Sequence, residues 1–508
     1  MNTAERERLL SFPVQGGEIT DMQWFDKVTY PENPFHLKVL SPGGYWRVTL
    51  LLKPTAQSHI GVVVCLPDKA VWNGRFLGTG NGGPAGNIAE GGLLNGLSRG
   101  FATANTDMGT PNGNPDLAIG QEEIWRDFGY RATHLMTVVG QQLTEWFYGK
   151  KADYSYFIGG STGGQQAFSE AQRYPEDYDG IIALSPAFDR VRLHAWFVWN
   201  WQQIHSRENA TFTAEQAAAW RDAVVAAFRE ECGSPKDAPY LAYPGRITEN
   251  PMEDPRLVEA AERLLTPGQR EALRGLYHGL FDPKTGESIM PGFLPGSEAE
   301  GLGLKETSSK DLFAFGFFYL FRWIFGADLD FMKFDFHADL QRAMERLSPI
   351  LDATNTDLSA FKGMNHKLLV IGGSCDPIIP YTGFLRYYRQ VIGKQGGWKN
   401  TTDFFRFFLM PGFAHTVGGT GVQEVGTLGI SAIPRDAEHD ALCAMMRWAE
   451  QGIAPERLLG AHMKRGEDGF AFDYALPADA YPNLTVFHGA DMKEPDNYES
   501  ISDEAQFL

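Results

Sequence analysis

The sequence predicts an α/β fold, with a mostly parallel sheet covered by helices and interrupted by a large, mainly helical insertion. Three observations carry that prediction. Apolar runs of strand length, such as IGVVVCLP (60–67), IIALSPA (181–187) and HKLLVIGG (366–373), recur along the chain. They alternate with segments of helical periodicity, the signature of βαβ units and a parallel sheet. Between residues 191 and 345 the alternation stops, and a helix-patterned stretch rich in Trp and Phe takes its place.

The elements follow in order. The first 60 residues are mixed, with a strand at YWRVTLLLKP (45–54). A buried strand spans 60–67, and WNGRFLGTGNGGPAGN (72–87) is a short strand running into a glycine-rich loop. FATANTDMG (101–109) ends a further strand, and 128–149 has helical period. YSYFIGG (154–160) is a strand, and Ser161 opens the helix TGGQQAFSEAQRYP. After the insertion, with its irregular Gly/Pro loops at 233–255 and 281–304, come a strand at 366–373 and a helix at 381–393. A strand at FFRFFLMPG (404–412) and an amphipathic helix at 439–452 follow. The tail from 453 reads as loop. The expected domains are a core formed by 1–190 and 346–508, with 191–345 as an inserted lid.

Composition narrows the function classes. The chain has 508 residues and a net charge of −18. Such an acidic surface repels phosphate backbones and anionic membranes, so neither nucleic acid nor membrane is an expected partner. Cys65, Cys232, Cys375 and Cys443 are too scattered for a disulfide framework or a metal-ligand spacing. The N-terminus lacks the pattern of a signal peptide, and no apolar run approaches the ~18 residues of a membrane span. A reducing, cytoplasmic setting is the expectation. Oligomeric state is left open.

The chemistry concentrates in Gly159-Gly160-Ser161-Thr162-Gly163. A G-x-S-x-G sequence is weak alone, but this one follows a strand and precedes a helix, as a nucleophile elbow requires. The turn lifts the Ser161 hydroxyl above the sheet and aims the Thr162 N–H at a developing oxyanion. A serine hydroxyl needs a base, and the α/β-hydrolase order is Ser, acid, His. Asp376 lies just past the strand LLVIGG, and His415 just past FFRFFLM. Both sit at carboxyl ends of strands, where open α/β sheets bind their ligands. The alternative for Asp376 is a structural turn before Pro377, and Cys375 beside it reads as a buried structural thiol. The remaining histidines lack such a context: His134 and His439 read as helix-face residues, and His194 as lid packing. The second oxyanion donor is expected from GTGNGGPAG (78–86), through the N–H of Gly82 or Gly83. That loop superficially matches a nucleotide-binding glycine pattern, but neither a Lys-Ser/Thr pair nor a suitably spaced acid follows. The fold class is therefore an α/β-hydrolase fold with a mostly parallel sheet and a large, mainly helical inserted lid domain.

From about 45 to 460 the chain resembles the tannase/feruloyl esterase family of α/β-hydrolases. The likeness rests on WNGRFLGTGNGG, TDMG, DFGYRATH, GGSTGGQQAFSEAQRYPEDYDGIIALSPA, LTPGQREALRGLYHG with PGFLPGSEAEG, GGSCDPIIP, PGFAHTVGG and WAEQGIAPE. It implies Ser161, Asp376 and His415 as a catalytic triad and a lid over the acyl pocket. It also implies small-molecule esters of aromatic acids as substrates: gallate, ferulate and related hydroxycinnamates, or terephthalate monoesters. Members of the family usually join cysteines beside the serine and the histidine in a disulfide. Gly160 and Thr416 occupy those positions here, so that clamp cannot form. The family's Asp-rich calcium loop has no counterpart in CGSPKDAPYLAYPGR (232–246), so no metal is expected there, and no cofactor is implied. Thr110 stands where the family's TDxGH turn has its histidine. The expected activity is serine-dependent ester hydrolysis through an acyl-enzyme. Acyl transfer by the same triad and a non-catalytic ligand-binding relative are the alternatives. Trp196, Trp199, Phe317 and Trp323 are candidates to face an aromatic acyl group, with packing inside the lid as the competing reading.

Overall fold

Strands β1 (Gly17–Phe25), β2 (Tyr45–Leu52), β3 (Ile60–Pro67), β4 (Arg75–Thr79), β5 (Ala102–Thr106), β6 (Tyr154–Gly160) and β7 (Gly180–Leu184) precede the insertion. A short hairpin, β8 (Leu280–Phe281) and β9 (Ser288–Met290), lies within it, and β10 (Lys367–Gly373) and β11 (Phe405–Met410) follow. The computed structural model describes residues 3–27, 43–110, 114–310, 319–427, 433–466 and 469–503. One nine-stranded sheet runs in the order β1-β2-β3-β5-β4-β6-β7-β10-β11. Every pairing from β5 to β11 is parallel, and the pairings among β1, β2, β3 and β5 are antiparallel.

The central strands are buried on both faces, which is why they read as continuous apolar runs instead of alternating ones. Ile181, Ile182, Leu368, Leu369, Val370 and Ile371 are all at most 1% exposed. Burying each such side chain contributes roughly 1.5–3 kcal/mol. Helices Glu90–Leu97, Ala132–Tyr148, Thr162–Arg173 and Tyr381–Gln395 lie on the crossovers, and Ala441–Gln451, after β11, packs on β7 and β10. Strand order matters for the site. β5 lies on one side of β4 and β6 on the other, so the winding reverses at β4 and opens a crevice at the carboxyl ends of β4 and β6. The glycine-rich loop leaves β4 there, and Ser161 leaves β6 there.

Between β7 and β10 the chain is mainly helical, including Arg190–His205, Ala214–Phe228, Pro267–His278, Tyr319–Phe325 and Ala338–Leu351. Their starts are written locally. Thr266 and Gln269 form a reciprocal capping box around Pro267, as Thr213 and Gln216 do at the start of Ala214–Phe228. This segment builds its own apolar cluster, which rests on Met108, Phe128, Ile378 and Ile379. Trp196 and Trp323 are fully buried inside that cluster, and Trp199 packs on its edge against Phe336. For Trp196 and Trp323, packing within the insertion is what the structure shows; Phe317 lies outside the described residues.

The tail differs from its reading as loop. Residues Arg457–Gly466 (β12) and Gly469–Asp479 (β13) pair antiparallel, as do Asn483–Phe487 (β14) and Tyr498–Ser502 (β15). RLLGAHMKRG has neither β-branched residues nor clean alternation. It becomes a strand because β13 pairs with it and because Ala461 and Met463 bury against Ile433 in a small satellite cluster. At the other end, β1 and a helix Thr3–Leu10 extend the fold into residues without a clear sequence pattern.

Asp352, at the end of Ala338–Leu351, is buried, and its Oδ1 accepts the Val191 N–H at 3.0 Å. Burial, then the neighbouring Asp189 carboxylate, pushes its carboxyl up to about 7. Burial likewise raises Asp107 to about 6. The folded chain therefore holds protons that the unfolded chain releases near pH 4, and this contribution to stability is lost as pH rises from about 4 to 7. Asp352→Asn keeps an acceptor for Val191 and removes one titration. Its Tm relative to wild type is expected to be higher at pH 8 than at pH 5. An offset equal at both pH values would show that Asp352 is not a proton-holding group.

Candidate active site

β6 ends at Gly160, and the helix Thr162–Arg173 begins two residues later, leaving Ser161 as the hinge. Ser161 has φ +59° and ψ −115°, a backbone rarely adopted by a residue with a side chain. Neighbours hold it there. Its N–H donates to the Leu184 carbonyl at 2.9 Å, and its carbonyl accepts from the Ala187 N–H at 3.0 Å. A Cβ at Gly159 would lie 2.4 Å from the Gly163 carbonyl oxygen, so the turn demands glycine at 159. The hydroxyl is thus presented at the crevice by a strained turn, as the sequence context predicts.

Asp376 and His415 meet above the same edge. Asp376 is fully buried; its Oδ1 accepts the N–H groups of Ile378 and Ile379, each at 3.0 Å. Its Oδ2 lies 2.9 Å from His415 Nδ1. A carboxylate only accepts, so Nδ1 carries the proton of this bond, and in the neutral imidazole Nε2 is the nitrogen that can accept one. The loops are latched to each other by the Cys375 N–H donating to the Phe413 carbonyl at 3.0 Å. They are also latched to the elbow: a Cβ at Gly160 would lie 2.8 Å from Thr416 Cγ2. The residue before Ser161 and the residue after His415 are therefore in contact.

The glycine-rich loop closes the other side. Asn81 N–H donates to Gln166 Oε1 at 2.8 Å, and Gly163 N–H to the Asn81 carbonyl at 2.7 Å, which ties the loop to the helix that Ser161 opens. Among the described residues, the N–H groups of Thr162, Gly82 and Gly83 donate to no protein acceptor. A narrow pocket of about 20 Å³ is lined by Gly83, Ser161, Thr162, Arg190, His194 and Tyr319, with apolar neighbours including Ile379. Gly82 is not part of its wall. That volume suffices for one water, not an aromatic ring. It shares Ala187, Leu193 and Ile379 with an adjoining cavity of about 400 Å³. Phe188, Phe384 and Tyr387 line that cavity, along with Asp189, Arg192 and Arg386.

Three polar residues of the narrow pocket escaped the sequence reading. Arg190 opens the helix Arg190–His205, one residue before the expected edge of the insertion, Tyr319 lies within the insertion, and nothing in their local pattern marks them. His194 was expected to pack inside the lid; it lines this pocket while its ring also contacts Phe197 and Tyr319. Away from the crevice, His134, Glu170 and Asp177 are the one group among the described residues close enough to hold a cation. His134 Nδ1 lies 2.7 Å from Asp177 Oδ2, and burial beside Asp177 pushes Glu170 well above the usual carboxylate range. Glu170 sits nine positions after Ser161, about 13 Å along the same helix, too far to take part in chemistry at the serine.

The strand order and the placement of these loops define an α/β-hydrolase fold. The chain belongs to the tannase and feruloyl esterase family, whose model matches residues 47–501. An uncharacterized esterase of Xanthomonas campestris is 32% identical, covering 89% of this chain and 83% of the relative. The protein named probable feruloyl esterase B of Aspergillus clavatus is 30% identical over 89% of this chain and 84% of its own. The crystal structure of feruloyl esterase B from Aspergillus oryzae superposes with a TM-score of 0.86 at 24% identity, covering 98% of this chain and 100% of that one.

The contact between Gly160 and Thr416 predicts an engineered cross-link. A Cβ at Gly160 would lie 3.2 Å from Thr416 Cβ, a few tenths of an ångström short of the ~3.5–4.5 Å range of disulfides, a gap that a small loop shift opens. Gly160→Cys with Thr416→Cys is expected to oxidise spontaneously and raise stability by about 2–4 kcal/mol. The readout is the Tm with and without reductant. Free thiols persisting under oxidant would show that the two loops do not meet in solution.

Proposed function

We propose that this carboxylic ester hydrolase cleaves esters of aromatic acids through Ser161, His415 and Asp376. The observation that carries the reading is the His415–Asp376 hydrogen bond, on a histidine loop whose Thr416 touches Gly160, the residue before a serine held at φ +59°. In this mechanism Nε2 of His415 takes the Ser161 proton as Oγ attacks the ester carbonyl. The N–H groups of Thr162 and Gly83 receive the developing oxyanion; Gly83 is preferred over Gly82 because it lines the Ser161 pocket. His415 protonates the departing alcohol, water enters, and the same steps in reverse release the acid. Asp376 keeps the imidazole in the tautomer that can accept a proton and offsets the charge it gains.

Relatives named feruloyl esterase support an aromatic acyl group. The cavity of about 400 Å³ next to the serine is in the range of small-molecule sites, and we read it as the seat of the aryl group. The helical segment from 191 is read as the lid over this site, within a division into core 1–190, lid and core from 346. Its far edge is better placed at Leu351, where the helix through 345 ends. The four free cysteines support a reducing, cytoplasmic setting. Among the described residues no helix is long and apolar enough to cross a membrane.

Methyl ferulate, methyl gallate, a terephthalate monoester and p-nitrophenyl acetate form the test panel. Turnover of at least one aromatic ester is expected, and Ser161→Ala should lower kcat by roughly 10⁴–10⁶. Retained turnover in Ser161→Ala would refute the assignment of the nucleophile. Turnover of p-nitrophenyl acetate alone would refute the aromatic acyl group.

A further inference from the structure

Arg190 is the first residue of the inserted helices and is 3% exposed. Among the described residues no carboxylate pairs with it, and its Nε–H is buried without a partner. Burying a cation without a carboxylate is expensive, and the cost is met here by hydrogen bonds and by the Phe128 ring, whose centre lies 5.4 Å from the guanidinium carbon. Its two terminal nitrogens converge on one carbonyl and on the hydroxyls beside it. Nη1 donates to Thr162 Oγ1 at 2.8 Å; Nη2 donates to the Gly83 carbonyl at 3.1 Å and to the Tyr319 hydroxyl. Thr162 Oγ1 also lies 2.7 Å from the Gly83 carbonyl oxygen, and the Tyr319 hydroxyl 3.3 Å from it.

The chemistry of the groups fixes the direction of each bond. A guanidinium only donates, so both hydroxyls must accept from Arg190. Each then has one proton left, and the one acceptor both hydroxyls share is the Gly83 carbonyl. Burial raises the Tyr319 phenol above its ordinary value, so it keeps that proton. Gly83, at φ +53°, is thereby held by three donors at the point where the loop passes Ser161. Thr162, the other backbone donor facing the crevice, is tied to the same cluster through its side chain.

We propose that Arg190, with Tyr319, is a positioning residue that sets the oxyanion hole: it locks the Gly83 loop against Thr162 and so couples the inserted helices to catalysis. This rests on the Ser161 esterase reading. Arg190 touches no reacting atom in this account. It fixes the separation of the two backbone N–H groups and holds an unneutralised positive charge beside the place where negative charge develops.

The test measures wild type, Ser161→Ala, Arg190→Met, Arg190→Lys and Tyr319→Phe on p-nitrophenyl acetate and methyl ferulate. Active sites are titrated with a fluorophosphonate, and Tm is recorded for each variant. For Arg190→Met, kcat and kcat/KM should fall together by about 10–100-fold on both esters, somewhat less than the loss of a whole oxyanion donor. Arg190→Lys should recover only part of this, since an ammonium keeps the charge but cannot make the fork. Tyr319→Phe should lower kcat by roughly 2–10-fold. Wild-type kcat per titrated site in Arg190→Met, with only Tm reduced, would overturn the proposal and leave a structural arginine. A loss confined to KM for methyl ferulate would overturn it in favour of direct substrate contact. If Arg190→Met does not fold, unchanged kcat in Tyr319→Phe overturns it. Absence of Ser161-dependent turnover in wild type would instead sink the esterase reading, and this proposal with it.

Discussion

The turn at Ser161 is the constraint on which the rest of the structure depends. A residue with a side chain is held at positive φ, and that is possible only because the surrounding backbone leaves it no alternative. Leu184 and Ala187 hold its peptide groups from β7 and the loop beyond. Gly159 and Gly163 allow strand and helix to approach, and Gly80 allows the glycine-rich loop to lie on top: a Cβ at Gly80 would sit 2.5 Å from the Gly163 Cα. The parallel sheet is in effect the jig that holds these three backbones together, and its buried aliphatic strands supply the rigidity.

Polar groups around the crevice follow from the same packing. Asp376 is buried, but both of its oxygens are satisfied, by two backbone N–H groups and by His415. Its burial is thus matched by hydrogen bonds on both oxygens. Asp352 and Glu170 show the opposite outcome. Each is buried beside another acid, and each is driven toward its protonated form. Arg190 is a third case, a buried cation answered by oxygen dipoles instead of a carboxylate. The insertion is thus joined to the core by polar contacts at the active-site edge as well as by the apolar cluster beneath it.

The missing cysteine pair shows how contact can replace a covalent link. Gly160 and Thr416 touch at the position where the resemblance places the family's clamp, so the elbow and the histidine loop stay together by packing, while the Cys375–Phe413 hydrogen bond ties the histidine loop to the loop of Asp376. The narrow pocket at Ser161 and the larger cavity behind Ala187, Leu193 and Ile379 then follow from where the insertion sits on this edge.

Much of this was legible in the chain. Strands 60–67, 154–160, 181–187 and 366–373 announced themselves because burial on both faces requires unbroken apolar runs, and the elbow announced itself because its glycines have no substitute. Asp376 and His415 were readable because strand ends are visible as the points where apolar runs stop. The tail was misread because β12 and β13 owe their extended form to each other and to Ile433, not to their own residues. That Gly83 and not Gly82 lines the Ser161 pocket, the size of the two pockets, and the convergence of Arg190, Tyr319 and Thr162 on one carbonyl were decided only by the tertiary structure. Local pattern encodes which backbone a segment prefers and which face it buries. It carries no information on which residues, 79, 107 and 236 positions along the chain from Gly83, will converge on its carbonyl.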